Sequence, residues 1–192
     1  MTFPKNFVTG QRDYPVKRLK YRHIFLGFLF ALLSATGIAG KSWADSIVVD
    51  NAATRLQVTD RNRDRPGPRL VLYTTMATWC VACRTELPQF LHLRSVFKPE
   101  ELGMFGLPYD DKEGPERLKA WAVANGPPYE LLANLTRDNI ASVKMMVLKT
   151  LRIDAVPASI VTDTNGRILR TRWGPPSVSE LRELLRSQKD RL

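Results

Sequence analysis

Only two cysteines occur in this 192-residue chain, and they stand together as Cys80-Val81-Ala82-Cys83. If a helix begins there, both thiols lie on its first turn, within bridging distance of each other. A helix start offers free N–H groups and a partial positive charge. Both favour thiolate over thiol, and so lower the pKa of the first cysteine. The predicted chemistry is thiol–disulfide exchange, in which Cys80 attacks a disulfide and Cys83 resolves the mixed disulfide that forms. Other readings compete. A structural bridge suits an exported protein, but so short a loop removes little entropy from the unfolded chain. A zinc site asks for four ligands, and beyond residue 44 the sequence has one histidine, His92, and no second cysteine pair. Copper capture by two soft thiolates is a binding-module reading, without paired histidines or a Met or His cluster near Cys80 to accompany it. Met104, Met145 and Met146 read as core or surface filler, and no metal site is assigned.

The surrounding pattern favours exchange. Leu70-Val71-Leu72-Tyr73 is a short apolar run bounded by turn signals, which predicts a buried strand leading to the cysteines. Leu87, Phe90, Leu91 and Phe97 then predict an amphipathic helix, kinked by Pro88. Met104–Leu107 is a second strand candidate. Pro115 suits the first turn of a helix carrying Leu118, Trp121 and Ala122 on one face and ending at Asn125-Gly126. Ile140, Val143, Val147 and Leu151 mark another helix. Strands over 158–162 and 168–173 meet around Asn165-Gly166, a hairpin signal, and Ser177-x-x-Glu180 is a capping box ahead of Leu181, Leu184 and Leu185. This order predicts an α/β domain over 70–192, a central mixed sheet with helices on both faces. Residues 45–69 read as a polar lead-in with one strand at Arg55–Thr59 and a turn at Pro66-Gly67-Pro68.

The net charge of +10 first suggests a nucleic-acid partner. Its distribution argues otherwise. Residues 1–44 hold seven Lys or Arg against one Asp, whereas the remaining 148 residues hold 22 basic and 18 acidic side chains. No aromatic interleaves with Arg55, Arg61, Arg63, Arg65 and Arg69, so that cluster reads as a solvated loop and no nucleic acid is assigned. Lys17, Arg18, Lys20 and Arg22 precede an apolar run from Ile24 to Ala39, and Ser42 and Ala44 are the small residues of a cleavage site. Such a segment predicts a secretory signal, cut near Ala44 or retained as an anchor helix that touches the membrane through residues 24–40. Either way the body faces the periplasm. No cysteine for lipidation and no Arg-Arg pair stand there.

Residues 70–88, Leu-Val-Leu-Tyr-Thr-Thr-Met-Ala-Thr-Trp-Cys-Val-Ala-Cys-Arg-Thr-Glu-Leu-Pro, resemble the active-site stretch of the TlpA/ResA-like branch of the thioredoxin superfamily. A second match is Ala155-Val156-Pro157-Ala158, and the hairpin at Asn165-Gly166 with Gly174 fits the last two strands of that fold. The likeness covers about residues 55–188, including an extra strand–helix segment between Met104 and Leu132. It implies a thioredoxin-like fold whose redox-active disulfide, Cys80–Cys83, is the only cofactor. Pro157 would be cis and face that disulfide, and the backbone of Val156 would pair with an extended substrate. Trp79 would shape the docking surface. Glu86, one turn beyond Cys83, would raise the pKa of Cys83 or relay its proton. The resemblance further implies protein disulfide clients, in cytochrome c maturation or copper-centre assembly, and electrons from a membrane thiol transporter of the DsbD/CcdA type. A dithiol oxidase or isomerase is the competing enzyme reading. Thr74 replaces the buried aspartate of minimal thioredoxins, and Ala82 the proline that many relatives carry before the second cysteine. Ala77, where peroxidases of related fold carry threonine, argues against peroxidase action.

Overall fold

The chain between Leu70 and Met76 is apolar enough to be buried on both faces, and it forms the central strand of the sheet. The computed structural model describes residues 47–50, 52–58, 67–154 and 156–189. The leader predicted for 1–44, Arg61, Arg63, Arg65, Pro66 and Ala155 lie outside them. In chain order the elements are β1 (Ile47–Val49), β2 (Leu56–Val58), β3 (Leu70–Met76), α1 (Val81–Thr85), α2 (Leu87–Val96), β4 (Leu102–Pro108), α3 (Pro115–Asn125), β5 (Glu130–Leu131), α4 (Arg137–Leu151), β6 (Ala158–Asp163), β7 (Ile168–Trp173) and α5 (Val178–Lys189). The five-stranded sheet runs β5-β4-β3-β6-β7. β4 lies parallel to β3 and β5, whereas β6 is antiparallel to β3 and β7, so the sheet is mixed as expected.

Alternation along β3 divides the core. Leu70, Leu72 and Met76 join Phe90 and Leu93 of α2, Leu118 and Trp121 of α3, and Leu181 and Leu185 of α5. Tyr73 joins Val143, Met146 and Val147 of α4 on the other side. Helices therefore cover both faces. Among the described residues no helix is long and apolar enough to cross a membrane.

Three expectations need correction. The single helix expected to begin at the cysteines and kink at Pro88 is two helices, α1 and α2, joined at Glu86, with Pro88 in the first turn of α2. Proline is well tolerated there because the first-turn N–H has no helical partner to lose. The break also resets the buried face of α2: Leu93 points inward, while Leu91 is exposed to solvent. The lead-in, finally, is more than polar chain with one strand. β1 and β2 form an antiparallel hairpin whose Ile47 and Leu56 are buried in the α4-side core. Leu56 N–H bonds to the Gly166 carbonyl at 2.8 Å, and Ile168 N–H to that of Thr54 at 2.8 Å. Gly166 has φ +76°, and a Cβ there would stand 2.8 Å from Cβ of Gln57, so the β6–β7 turn needs glycine for both conformation and room.

Candidate active site

The reactive turn hangs from the end of β3. Cys80 N–H donates to the Ala77 carbonyl at 3.0 Å, which turns the chain into α1. Cys80 is the N-cap of α1, and its Sγ accepts from Cys83 N–H at 3.0 Å. The two cysteines are joined as a disulfide with Cα atoms 5.4 Å apart. Since α1 has only five residues, it carries no long helix macrodipole to act on Cys80. The donor that matters is the Cys83 N–H itself. Cys80 is only 4% exposed in this oxidised form, less open than an attacking group suggests, yet Trp79 and Val81 on either side are 56% and 65% exposed. The buried disulfide is therefore flanked in the chain by two exposed apolar side chains.

The Val156–Pro157 peptide is cis, as the resemblance implied. Val156 is half-buried and packs against the cluster that contains Cys80 and Cys83. Ala158 N–H bonds to Thr75 Oγ1 at 2.8 Å, which ties the start of β6 to the end of β3. Trp79 is a surface residue, its Nε1–H donating to Asp110 Oδ2 at 3.0 Å.

Glu86 occupies the joint between α1 and α2, with Oε2 buried and without a hydrogen-bond partner. Burial pushes its carboxyl up to about 7, against the pull of Arg172. Tyr129 is raised above the ordinary phenol range, chiefly by burial and then by the charge of Glu86. Because the folded pKa of Glu86 exceeds the unfolded one, its contribution to stability is complete below about pH 4.5 and is lost as pH rises through 7. Glu86→Gln should therefore be more stable than the parent at pH 8, by about 1–2 kcal/mol after allowance for solvent screening, and nearly equal at pH 4. Denaturant midpoints of the oxidised chain at both pH values check this. Parallel pH dependences would show that the carboxyl is not desolvated.

Several residues at the site were not anticipated. Asp110 and Glu113, in the loop between β4 and α3, reach Trp79 and Thr78. Arg117 and Arg84 also bind Thr78, through Nε to Oγ1 at 3.0 Å and Nη1 to the carbonyl at 3.1 Å. Tyr109 donates to Asp154 Oδ1 at 2.6 Å, in the loop that leads to Pro157. The acidic run Asp110-Asp111-Lys112-Glu113 following an apolar strand was the available signal, since adjacent parallel strands bring their carboxyl ends together.

The sequence profile of the AhpC/TSA family matches residues 48–171. The chain belongs to the AhpC/TSA family. This AhpC/TSA chain is 29% identical over 121 residues to a "Thiol:disulfide interchange protein DsbE homolog" of Paracoccus denitrificans (strain Pd 1222), covering 63% of the chain and 59% of that relative. It thus spans less than two thirds of the relative's length. Solved structures with this fold include a thiol:disulfide interchange protein from Bacteroides sp., with 19% identity, TM-score 0.50, and 76% and 90% of the two chains covered. Another is a thiol:disulfide interchange protein of the thioredoxin family from Chlorobium tepidum TLS, with 19% identity, TM-score 0.50, and 69% and 86% covered. At that identity they establish the thioredoxin-like fold alone.

Proposed function

We propose that the chain is a thiol–disulfide oxidoreductase that reduces disulfides in client proteins, with Cys80 as nucleophile and Cys83 as resolving thiol. The observation that carries this reading is the C-x-x-C pair, closed as a disulfide at the strand–helix junction with Cys80 Sγ on the Cys83 N–H. In the reduced enzyme the Cys80 thiolate attacks one client sulfur and the other leaves as thiolate. Cys83 then loses its proton and attacks Cys80 Sγ, so the second client sulfur departs, the client gains two electrons and the enzyme is left oxidised. Glu86, with a carboxyl near pH 7, is suited to take that proton. Trp79 and the backbone beside Val156 and Pro157 would receive the extended client segment.

The exchange needs no cofactor beyond the protein's own disulfide. Residues 1–44 would carry the body to the periplasm, as a cleaved signal or an anchor. That compartment is oxidising, so electrons must come from a membrane thiol transporter of the DsbD/CcdA type. The name of the Paracoccus relative supports the interchange reading. Clients in cytochrome c maturation, or in copper-centre assembly, fit this direction of electron flow.

Equilibration of the chain with glutathione buffers tests the direction. The expected reduction potential lies well to the reducing side of roughly −120 mV, the value of a strong dithiol oxidant. A potential at that oxidant end would replace the reductase by an oxidase.

A further inference from the structure

Every polar group of Thr78, two residues before Cys80, is engaged. Its N–H lies 3.0 Å from both Oε1 and Oε2 of Glu113, and its hydroxyl donates to Glu113 Oε1. The same hydroxyl oxygen accepts from Arg117 Nε, and the Thr78 carbonyl accepts from Arg84 Nη1. The Glu113 side chain is only 3% exposed, although its ion-pair partner Arg117, at 3.8 Å, is 66% exposed. A carboxylate taken out of water in this way is costly unless donors surround it. Here most of those donors belong to the reactive turn.

We infer that Glu113 is a positioning residue for Cys80. Its carboxylate fixes the Thr78 peptide, and with it the angle at which the chain enters α1, so that Cys80 Sγ stays aimed at the Cys83 N–H. Asp110 of the same loop holds the next residue, Trp79, at 3.0 Å. A loop some 30 residues downstream thus braces both residues ahead of the nucleophile. The charged groups around the turn include Arg84 of α1, Asp110, Lys112 and Glu113 of the loop, Arg117 of α3, Lys144 of α4, whose charge also acts on Asp110, and Glu86 at the helix joint. The two arginines offset the loop carboxylates, so Glu113 acts by geometry more than by repelling a thiolate.

This inference rests on Cys80 being the nucleophile, and the test separates the two. The full chain is reduced, and alkylation of Cys80 by iodoacetamide is followed from pH 4 to 9, with Cys83 resolved by peptide mapping. In the parent, Cys80 should react as an acidic thiol. A profile centred at about 8.5, that of a free thiol, would overturn the proposed function itself. In Glu113→Ala the profile should move to higher pH, with the rate at pH 6 falling on the order of tenfold. Glu113→Gln keeps an acceptor for the Thr78 N–H and should lie closer to the parent. Movement of both variants to lower pH would show Glu113 acting by charge and overturn the inference. Unmoved profiles with a lowered melting temperature would make it structural only and overturn it equally. If Glu113→Ala does not fold, Thr78→Val, which deletes only the hydroxyl contacts, should shift the profile in the same direction by less. Superposition of the Thr78→Val and parent profiles would count against the inference.

Discussion

The Cys80→Ser chain is expected to reduce insulin no faster than the reductant alone, whereas Cys83→Ser should accumulate as a covalent adduct with its client. Both outcomes follow from the placement of the two sulfurs. Cys80 caps α1, where its sulfur takes the Cys83 N–H at 3.0 Å, a hydrogen bond that is stronger to thiolate than to thiol. A serine hydroxyl at the same place is a far weaker acid and no exchange nucleophile. Cys83 is not expected to substitute for it, because it lies inside α1, away from the cap position whose sulfur receives a backbone N–H. With Cys83 replaced, the first attack proceeds but nothing displaces the client from Cys80, so the mixed disulfide persists. Non-reducing electrophoresis with peptide mapping would find the adduct on Cys80 and identify the client. Full insulin reduction by Cys80→Ser, or an adduct that forms elsewhere, would remove the basis of the proposed function.

Much of the fold is legible in the sequence where one short-range rule decides. β3 follows from its unbroken apolar run, the start and end of α3 from Pro115 and Gly126, and the β6–β7 turn from Asn165-Gly166. The capping box is present in both directions, with Ser177 N–H to Glu180 Oε2 at 2.8 Å and Glu180 N–H to Ser177 Oγ at 3.2 Å. β1 and β5, of three and two residues, are not legible, because such short segments become strands only by pairing with chain that lies far away. Met146 is core and Met145 is exposed, in keeping with methionine as filler.

The site divides in the same way. The cysteine pair and Pro157 are visible through spacing and resemblance. For Glu86, spacing indicates a place one turn past Cys83, but not the helix break it occupies nor its electrostatic neighbour Tyr129, which lies 43 residues later in the chain. The contact of Glu113 with Thr78 spans 35 residues, and the acidic run after an apolar strand signals the loop but not this pairing. What the sequence conceals is thus the part of the site that depends on where two loops meet.

Phe90→Ala is expected to cost about 3–5 kcal/mol, the largest loss of stability among single changes near the disulfide. The ring is 2% exposed and belongs to the cluster that holds Cys80 and Cys83. It meets Tyr129 edge to face, with centroids 5.6 Å apart and an interplanar angle of 83°. Truncation removes that contact and leaves a void that rigid sheet and helix backbones cannot close. Against a total stability of about 5–15 kcal/mol this is a substantial fraction, and it should appear as a fall of roughly 10 °C in melting temperature. Phe90→Leu, which retains most of the volume, should lose much less.

The pH dependence of the loss tests the link between this core and Glu86. Tyr129, which meets the Phe90 ring edge to face, also feels the charge of Glu86, so the void opens beside a side chain that Glu86 acts on. Water entering it would hydrate the Glu86 carboxylate and lower its raised pKa towards the ordinary value. The ionised carboxylate, which destabilises the parent above pH 7, would then destabilise the variant less. Phe90→Ala should therefore cost less at pH 8 than at pH 5, and adding Glu86→Gln should erase the difference. A cost that is independent of pH would mean that the carboxylate and the aromatic pair are insulated from each other. A cost below about 1 kcal/mol would mean that the ring is not part of the packed core.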